Sequence, residues 1–368
     1  MFSAHYPQSD NVGSPFQMYP KRFTFDPVAV ARARLVTLRS PNLNVLLQEN
    51  RAEMPGIAHF LESGFKARDK AGKLLLPDLS ALRNTTVGIF SDYGGESTGK
   101  YSTYSFLICA FGSLGPFQKQ MAALRTTTSI GNKEIAFKDF RMGQLQRLLP
   151  RYLRLVDQYV SGLVFTLVVD KRIPSLFGPA PEALQKAVAT LQERGYGNVV
   201  PKVAEKLFRV VHITAFLVAL LGHQGQKIFW MTDNDAIGET PEKHKELLAI
   251  LDAVLPLYTT KSFGLLGGAR PFQPRAFEYL DLLSVADVAA GAVAQCLSGI
   301  DAVGHDKAEV KKGCEDVLRW LCHDSITLKK FCMIVKRDAQ GQIVSGPVDF
   351  EARMPIADEV FIPTQLVR

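Results

Sequence analysis

A chain of 368 residues, 47% hydrophobic and 21% charged, has apolar material for one large core or two modest ones, which excludes wholesale disorder. The net charge of +7 and a pI near 9.1 suit a phosphate-bearing partner, although charge says nothing about fold.

Residues 1–84 mix prolines, short apolar runs and basic residues without a clear period, and read as an N-terminal extension of undisclosed role. Its first residues, MFSAHYPQSDNVGSPF, lack the basic-then-apolar order of a signal peptide. From Thr86 the texture changes. Thr86-Val-Gly-Ile-Phe-Ser-Asp92 predicts a strand ending on an acid, with Gly94-Gly95 as the turn. Tyr104–Phe111 predicts a second, buried strand, and Glu134–Phe140 a third. Leu145, Leu148, Leu149, Tyr152, Val156 and Tyr159 recur at helical spacing, and Pro150 predicts a kink or break in that helix. Leu163–Asp170 is a further apolar strand that finishes on an acid.

Helices are predicted at 181–194 and 201–221, each opened by proline, so that 175–222 forms a helical insertion between core strands. Val210–Leu221 is the most apolar run, but His212 and Thr214 interrupt it and it is too short to span a bilayer. His212 itself reads as a satisfied core histidine. Ile228–Asp233 predicts a strand, 241–255 a helix, 262–266 a short strand and 281–297 an alanine-rich helix carrying Asp287. A helix over 307–323, a hairpin over 329–350 turning at Asp338-Ala-Gln-Gly341, and a tail from 351 complete the chain. The pattern predicts an α/β fold, a mixed sheet covered by helices. Cys109, Cys296, Cys314, Cys322 and Cys332 form no C-x-x-C pair, and Cys314, Cys322 and His323 fit no zinc spacing. Reduced core thiols and a soluble, cytoplasmic protein are expected.

The chemical signal lies in the acids. Three apolar strands end on Asp92, Asp170 and Asp233, and strand ends at a sheet edge are where open α/β folds place their sites. Asp287 sits among Val285, Ala286, Val288, Ala289 and Ala290, and a carboxylate there is costly unless paired or bound to a cation. Each acid also has a plainer reading. Asp170, followed by Lys171 and Arg172, fits a turn as well as a site, and Asp235 would turn the chain after Asp233.

The order of strand–Asp92, Lys133-Glu134-Ile135, a helix, Val-Val-Asp170-Lys171, strand–Asp233 and Leu-Leu-Ser-Val-Ala-Asp287-Val resembles a bacterial domain-of-unknown-function family, number thirty-eight hundred, regarded as ribonuclease H-like. The likeness spans roughly 85–300. It departs at Asp92-Tyr93-Gly94-Gly95, where the family carries Asp-Glu-Ser-Gly; Glu96 is a possible substitute. The resemblance implies a ribonuclease H-like domain over 85–350 and a nuclease of DNA or RNA using Mg²⁺ or Mn²⁺. The implied ligands are Asp92, Glu134, Asp233 and Asp287, with Asp170 and Asp235 competing for the third position. Two ions about 4 Å apart would bridge the scissile phosphate.

A basic surface would hold the strand. Lys171 and the helical face of Arg147, Arg151 and Arg154 are candidates, the latter equally readable as a solvated face. Gly94-Gly-Glu-Ser-Thr-Gly99-Lys100 fits a phosphate-loop pattern literally, but Tyr101 follows where a hydroxyl ligand belongs and a strand follows where a helix is needed. The rival to a nuclease is a ribonuclease H-like module that binds nucleic acid or protein without catalysis.

Overall fold

The computed structural model describes residues 2–5, 35–95, 99–128, 130–272, 277–304, 308, 310 and 313–352. Among these the backbone forms one mixed sheet of eight strands flanked by helices on both faces. The strands are β1 (Phe2–His5), β2 (Thr86–Gly94), β3 (Tyr101–Ala110), β4 (Gly162–Asp170), β5 (Lys227–Thr232), β6 (Leu265–Gly268), β7 (Leu328–Arg337) and β8 (Ile343–Ala352). Their spatial order is β1-β8-β7-β4-β3-β2-β5-β6. The centre is an antiparallel meander, β2–β3–β4. Parallel β5 and then β6 extend it beyond β2, and parallel β7 joins it beyond β4. Strands β2, β4, β5 and β6 therefore point the same way and present their C-terminal ends at one edge.

Strand β4 is buried along its whole length, as a central strand covered on both faces must be. On one face pack α1 (Gly56–Lys70), α5 (Pro201–Leu221) and α6 (Pro241–Val254), around Phe65, Phe165, Phe216 and Trp230. On the other lie α2 (Gly115–Thr128), α3 (Gly143–Tyr159), α7 (Leu280–Val303) and α8 (Cys314–Leu321), around Phe90, Phe117, Tyr152 and Leu283. Helix α4 (Glu182–Glu193) leads into α5. Proline opens α5 and α6 at the first turn, where its missing N–H costs nothing, and the Thr240 hydroxyl caps α6 by accepting from the Lys243 N–H at 3.2 Å.

Several sequence expectations change. Glu134–Phe140 is not a strand: residues 134–136 are irregular and Phe137–Asp139 is a 3₁₀ turn, so the third strand of the meander is β4. The cause is tertiary, because Phe137 is drawn onto α7. Helix α3 runs unbroken through Pro150, which is exposed, so the carbonyl it leaves without a helical partner is near water. Residues 35–84 are no loose appendage: Leu46, Ile57, Leu61 and Phe65 belong to the same core as the sheet. The 175–222 segment is likewise integral, since α5 is buried over most of its length as the connection from β4 to β5. The strand expected at 262–266 lies at Leu265–Gly268, and the alanine-rich helix runs on to Val303. The helix expected over 307–323 is seen as α8, with 305–307, 309, 311 and 312 outside the described residues, as are Glu96 and the tail from 353. The β7–β8 hairpin turns where expected, closed by Gly341 N–H to Asp338 O at 3.1 Å.

Helix α7 is long and apolar enough to cross a membrane by length and composition. Here 83% of its most apolar window is buried against β2, β3 and α8, the setting of a core helix.

Candidate functional site

The C-terminal ends of β2 and β5 lie side by side, because Ser91 pairs with Thr232 in parallel register. Asp92 continues β2, and Asp233 follows β5 directly with its N–H on Ser91 O at 3.0 Å. Alternation along β2 sends Ile89 and Phe90 to opposite cores, which puts the Asp92 side chain on the α7 side with Phe90.

Helix α7 comes close because its facing residues are small. The Thr103 hydroxyl donates to Ala290 O at 3.0 Å, which ties α7 to β3. Gly291 leaves room for the Phe137 ring: a Cβ there would stand 2.2 Å from it. With Phe137 seated, its N–H donates to Asp287 Oδ2 at 2.7 Å, and the segment carrying Glu134 lies beside Asp287. The first turn of α7 is anchored by an Arg125–Asp281 ion pair and by the Tyr152 hydroxyl donating to Asp281 O at 2.6 Å.

Four acids from four segments thus repel one another at one edge of the sheet. Asp92, 8% exposed, has its pKa raised well above the ordinary carboxyl value by burial, then by Asp287 and Asp233. Burial raises that of Asp287 to about 7, opposed by the Phe137 N–H and aided by Glu134 and Asp233. Glu134 is raised by burial too, offset by Lys138 and reinforced by Asp233. Asp233 is the neighbour all three share. Among the described residues, no three His, Cys, Asp or Glu side chains stand in a group that could hold a metal ion as arranged. One oxygen of Asp287 is taken by Phe137 N–H and one of Asp92 by the Tyr93 N–H, and both acids keep a second oxygen.

The two competitors for the third position are engaged elsewhere. Asp170 is fully buried, and against that burial Arg172 holds its carboxyl below the ordinary value with a forked contact at 2.6–3.1 Å. Its backbone partner is the Arg172 N–H at 2.9 Å, so the turn reading describes it. Asp235 forms an ion pair with Lys206 of α5 and accepts from Ile237 N–H at 3.0 Å; burial still leaves its pKa raised. Lys206, whose ammonium also stands 4.6 Å from the Tyr93 ring centre, carried no signal in the sequence, since nothing local relates it to a residue 29 positions on.

The basic candidates divide. Lys171 is exposed just beyond β4 and donates to Gly99 O at 2.9 Å. Arg147, Arg151 and Arg154 are exposed on the side of α3 opposite its buried stripe. The glycine-rich segment after β2 is followed by strand β3 from Tyr101, and Lys100 is paired with Asp301 at 2.6 Å, an arrangement without a phosphate-cradling helix end. His212 is a core residue, its Nδ1 2.7 Å from the Tyr258 hydroxyl and its pKa lowered by burial to about 4. The five cysteines are free thiols. Compared with protein-family models and with curated protein sequences, the chain finds no match.

Proposed function

We propose that the chain is a metal-dependent nuclease of the ribonuclease H-like kind, cutting phosphodiester bonds of DNA or RNA with Mg²⁺ or Mn²⁺. The observation that carries this reading is the set Asp92, Glu134, Asp233 and Asp287, gathered from β2, the 134–137 segment, the end of β5 and α7. Burying mutually repelling acids destabilises a fold, and a hard divalent cation offsets that repulsion through oxygen ligands. The donor set is all carboxylate, which fits Mg²⁺ or Mn²⁺ better than a softer ion. A meander of three antiparallel strands, extended by parallel strands beside the acid-bearing one, is in keeping with the ribonuclease H-like fold.

Asp92, Glu134, Asp233 and Asp287 would hold divalent ions, which would supply activation of a water molecule and stabilisation of the leaving oxygen. The chain's own residues prepare for this. Phe137 N–H orients Asp287, and the Lys206 pair withdraws Asp235 from the set. Glu134 and Asp233, both partly exposed, are the side chains whose rotation would close the four acids onto an ion.

The test is cleavage of labelled single-stranded DNA, duplex DNA and RNA with Mg²⁺, Mn²⁺ or chelator, alongside Mn²⁺ binding measured by calorimetry. Metal-dependent cutting, lost by a factor of about 100 or more in Asp92→Asn and Asp233→Asn, is expected. Cutting that survives chelator, or no cutting together with no Mn²⁺ binding, overturns the reading and leaves a non-catalytic module.

A further inference from the structure

A cavity of about 660 Å³ lies among the start of α1, α4, α5 and the facing ends of β7 and β8. That is within the usual range for small-molecule sites. Its wall includes the partly exposed apolar side chains Phe60, Phe177, Phe208 and Ile343. The charged side chains lining it are Lys186 and Arg337 against Glu53, two cations to one acid.

The buried side chains of this wall are apolar except for two, His212 and Ser175. His212 is 6% exposed, with the Phe177 ring 5.3 Å away. Its Nδ1 meets the Tyr258 hydroxyl at 2.7 Å, and that buried hydroxyl has no other acceptor among the described residues. Tyr258 therefore donates to Nδ1, and the neutral ring carries its proton on Nε2. Nε2 has no hydrogen-bond partner among the described residues and is not closed off from solvent, so its N–H is left to the cavity that His212 lines. Ser175 is 5% exposed; its hydroxyl accepts from Phe177 N–H at 3.0 Å, while its own hydrogen has no acceptor among the described residues. Donors held in an apolar wall are costly until an acceptor meets them.

We propose that this cavity binds an apolar carboxylic acid, its carboxylate accepting from His212 Nε2–H with the Ser175 hydroxyl as second donor, and its body lying along Phe60, Phe177 and Phe208. Two buried donors select an oxygen acceptor, and the excess of cation over acid selects an anionic one. A plain apolar ligand leaves both donors unmet, an amine meets the wrong charge, and a small inorganic anion leaves the aromatic wall bare. The site stands apart from the nuclease reading, since its groups are distinct from Asp92, Glu134, Asp233 and Asp287.

The experiment is fluorescence titration of the full chain, in chelator, with 2-naphthoate, 2-acetylnaphthalene, 2-ethylnaphthalene and acetate. The first three share one apolar body and differ in the acceptor. 2-Naphthoate is expected to bind about tenfold or more tightly than 2-ethylnaphthalene, and acetate not to compete with it. His212→Phe is expected to bring 2-naphthoate down to the level of 2-ethylnaphthalene while leaving 2-ethylnaphthalene level, a difference that a general loss of stability does not produce. Should that variant fold poorly, the parent still decides: the His212 Nε2–H proton resonance should move downfield with 2-naphthoate and not with 2-ethylnaphthalene. Ala183→Trp, at a half-buried position on the wall, should abolish binding of both with the melting temperature little changed. No binding of any probe, binding indifferent to Ala183→Trp, or an imidazole resonance that ignores 2-naphthoate overturns the proposal. 2-Acetylnaphthalene binding as tightly as 2-naphthoate overturns it too, since charge would then play no part.

Discussion

Asp287 shows how one residue ties stability to chemistry. Its carboxyl titrates near 7 in the fold, raised first by burial, against 3.8 for an unperturbed group. A raised folded value means that the native state holds a proton which the unfolded chain has released, so stability falls as pH climbs through the window from about 4 to 7. At roughly 1.4 kcal/mol per unit the upper bound on this loss is about 4 kcal/mol, reduced by partial exposure and relaxation of the site. Asp287→Asn keeps the shape and removes the charge. It is therefore expected to be more stable than the parent by about 1–3 kcal/mol at pH 8 and nearly equal at pH 4, in urea melts without added metal. A gain that is the same at both pH values would show that charge burial is not the cause. On the nuclease reading the same variant loses activity by orders of magnitude, whereas Ca²⁺ added to the parent should bind and support little turnover, which a cleavage assay checks.

Among the elements, α7 and the segment before α3 form the working unit. Gly291 exists to admit Phe137, because a Cβ would overlap the ring. Gly291→Ala is expected to cost about 1–3 kcal/mol as the ring is displaced. It should also lower cleavage, because Phe137 N–H would then cease to orient Asp287 and Glu134 would shift with its segment. Stability and cleavage both within error of the parent would sink this account of the site. The hairpin at Gly95 makes a similar demand in a different currency of strain. Its φ of +72° lies in the left-handed region, and a Cβ would stand 2.2 Å from Tyr101 O. Gly95→Ala should lower the melting temperature by several degrees, read by circular dichroism, where Gly72→Ala, at a similar φ with open space around it, should cost less.

Considered as a whole, the molecule does not begin at its first acid-bearing strand. Phe65 of α1 packs against Phe165, Phe216 and Phe331 at ring-centre distances of 4.7–5.4 Å, joining residues from β4, α5 and β7. Glu62 beside it accepts from Leu46 N–H at 2.9 Å and pairs with Arg51 and Lys66. Phe65→Ala should cost about 3–5 kcal/mol in equilibrium unfolding. A chain starting at residue 85 should lack cooperative melting and near-ultraviolet dichroism. A cooperative melt within a few degrees of the full chain would show that residues 35–84 are dispensable.

By itself the sequence determined what depends on near neighbours: the apolar runs of β2, β4 and β5 with their terminal acids, the proline-opened α5 and α6, and the turn at Asp338–Gly341. Those features follow from periodicities of two and 3.6 and from turn chemistry, which act over a few residues. The candidate acids Asp92, Asp233 and Asp287 were legible for the same reason, each standing out against an apolar stretch. What sits around them was decided only by tertiary packing. Glu134 lies in a segment whose local pattern favoured a strand, yet Phe137 finds its place on Gly291, 154 residues away in the chain, and the segment turns instead. Asp235 and Asp233 are two residues apart and look interchangeable, until α5 brings Lys206 to one and not to the other. Within residues 35–84 the helical spacing of Ile57, Ala58, Leu61 and Phe65 marks the buried face of α1. It is masked in the sequence by flanking apolar residues such as Leu46, Leu74 and Leu76, which fill gaps in the same core without a period of their own. Pairings of this kind are set by which surfaces the folded sheet presents, and no local spacing encodes them.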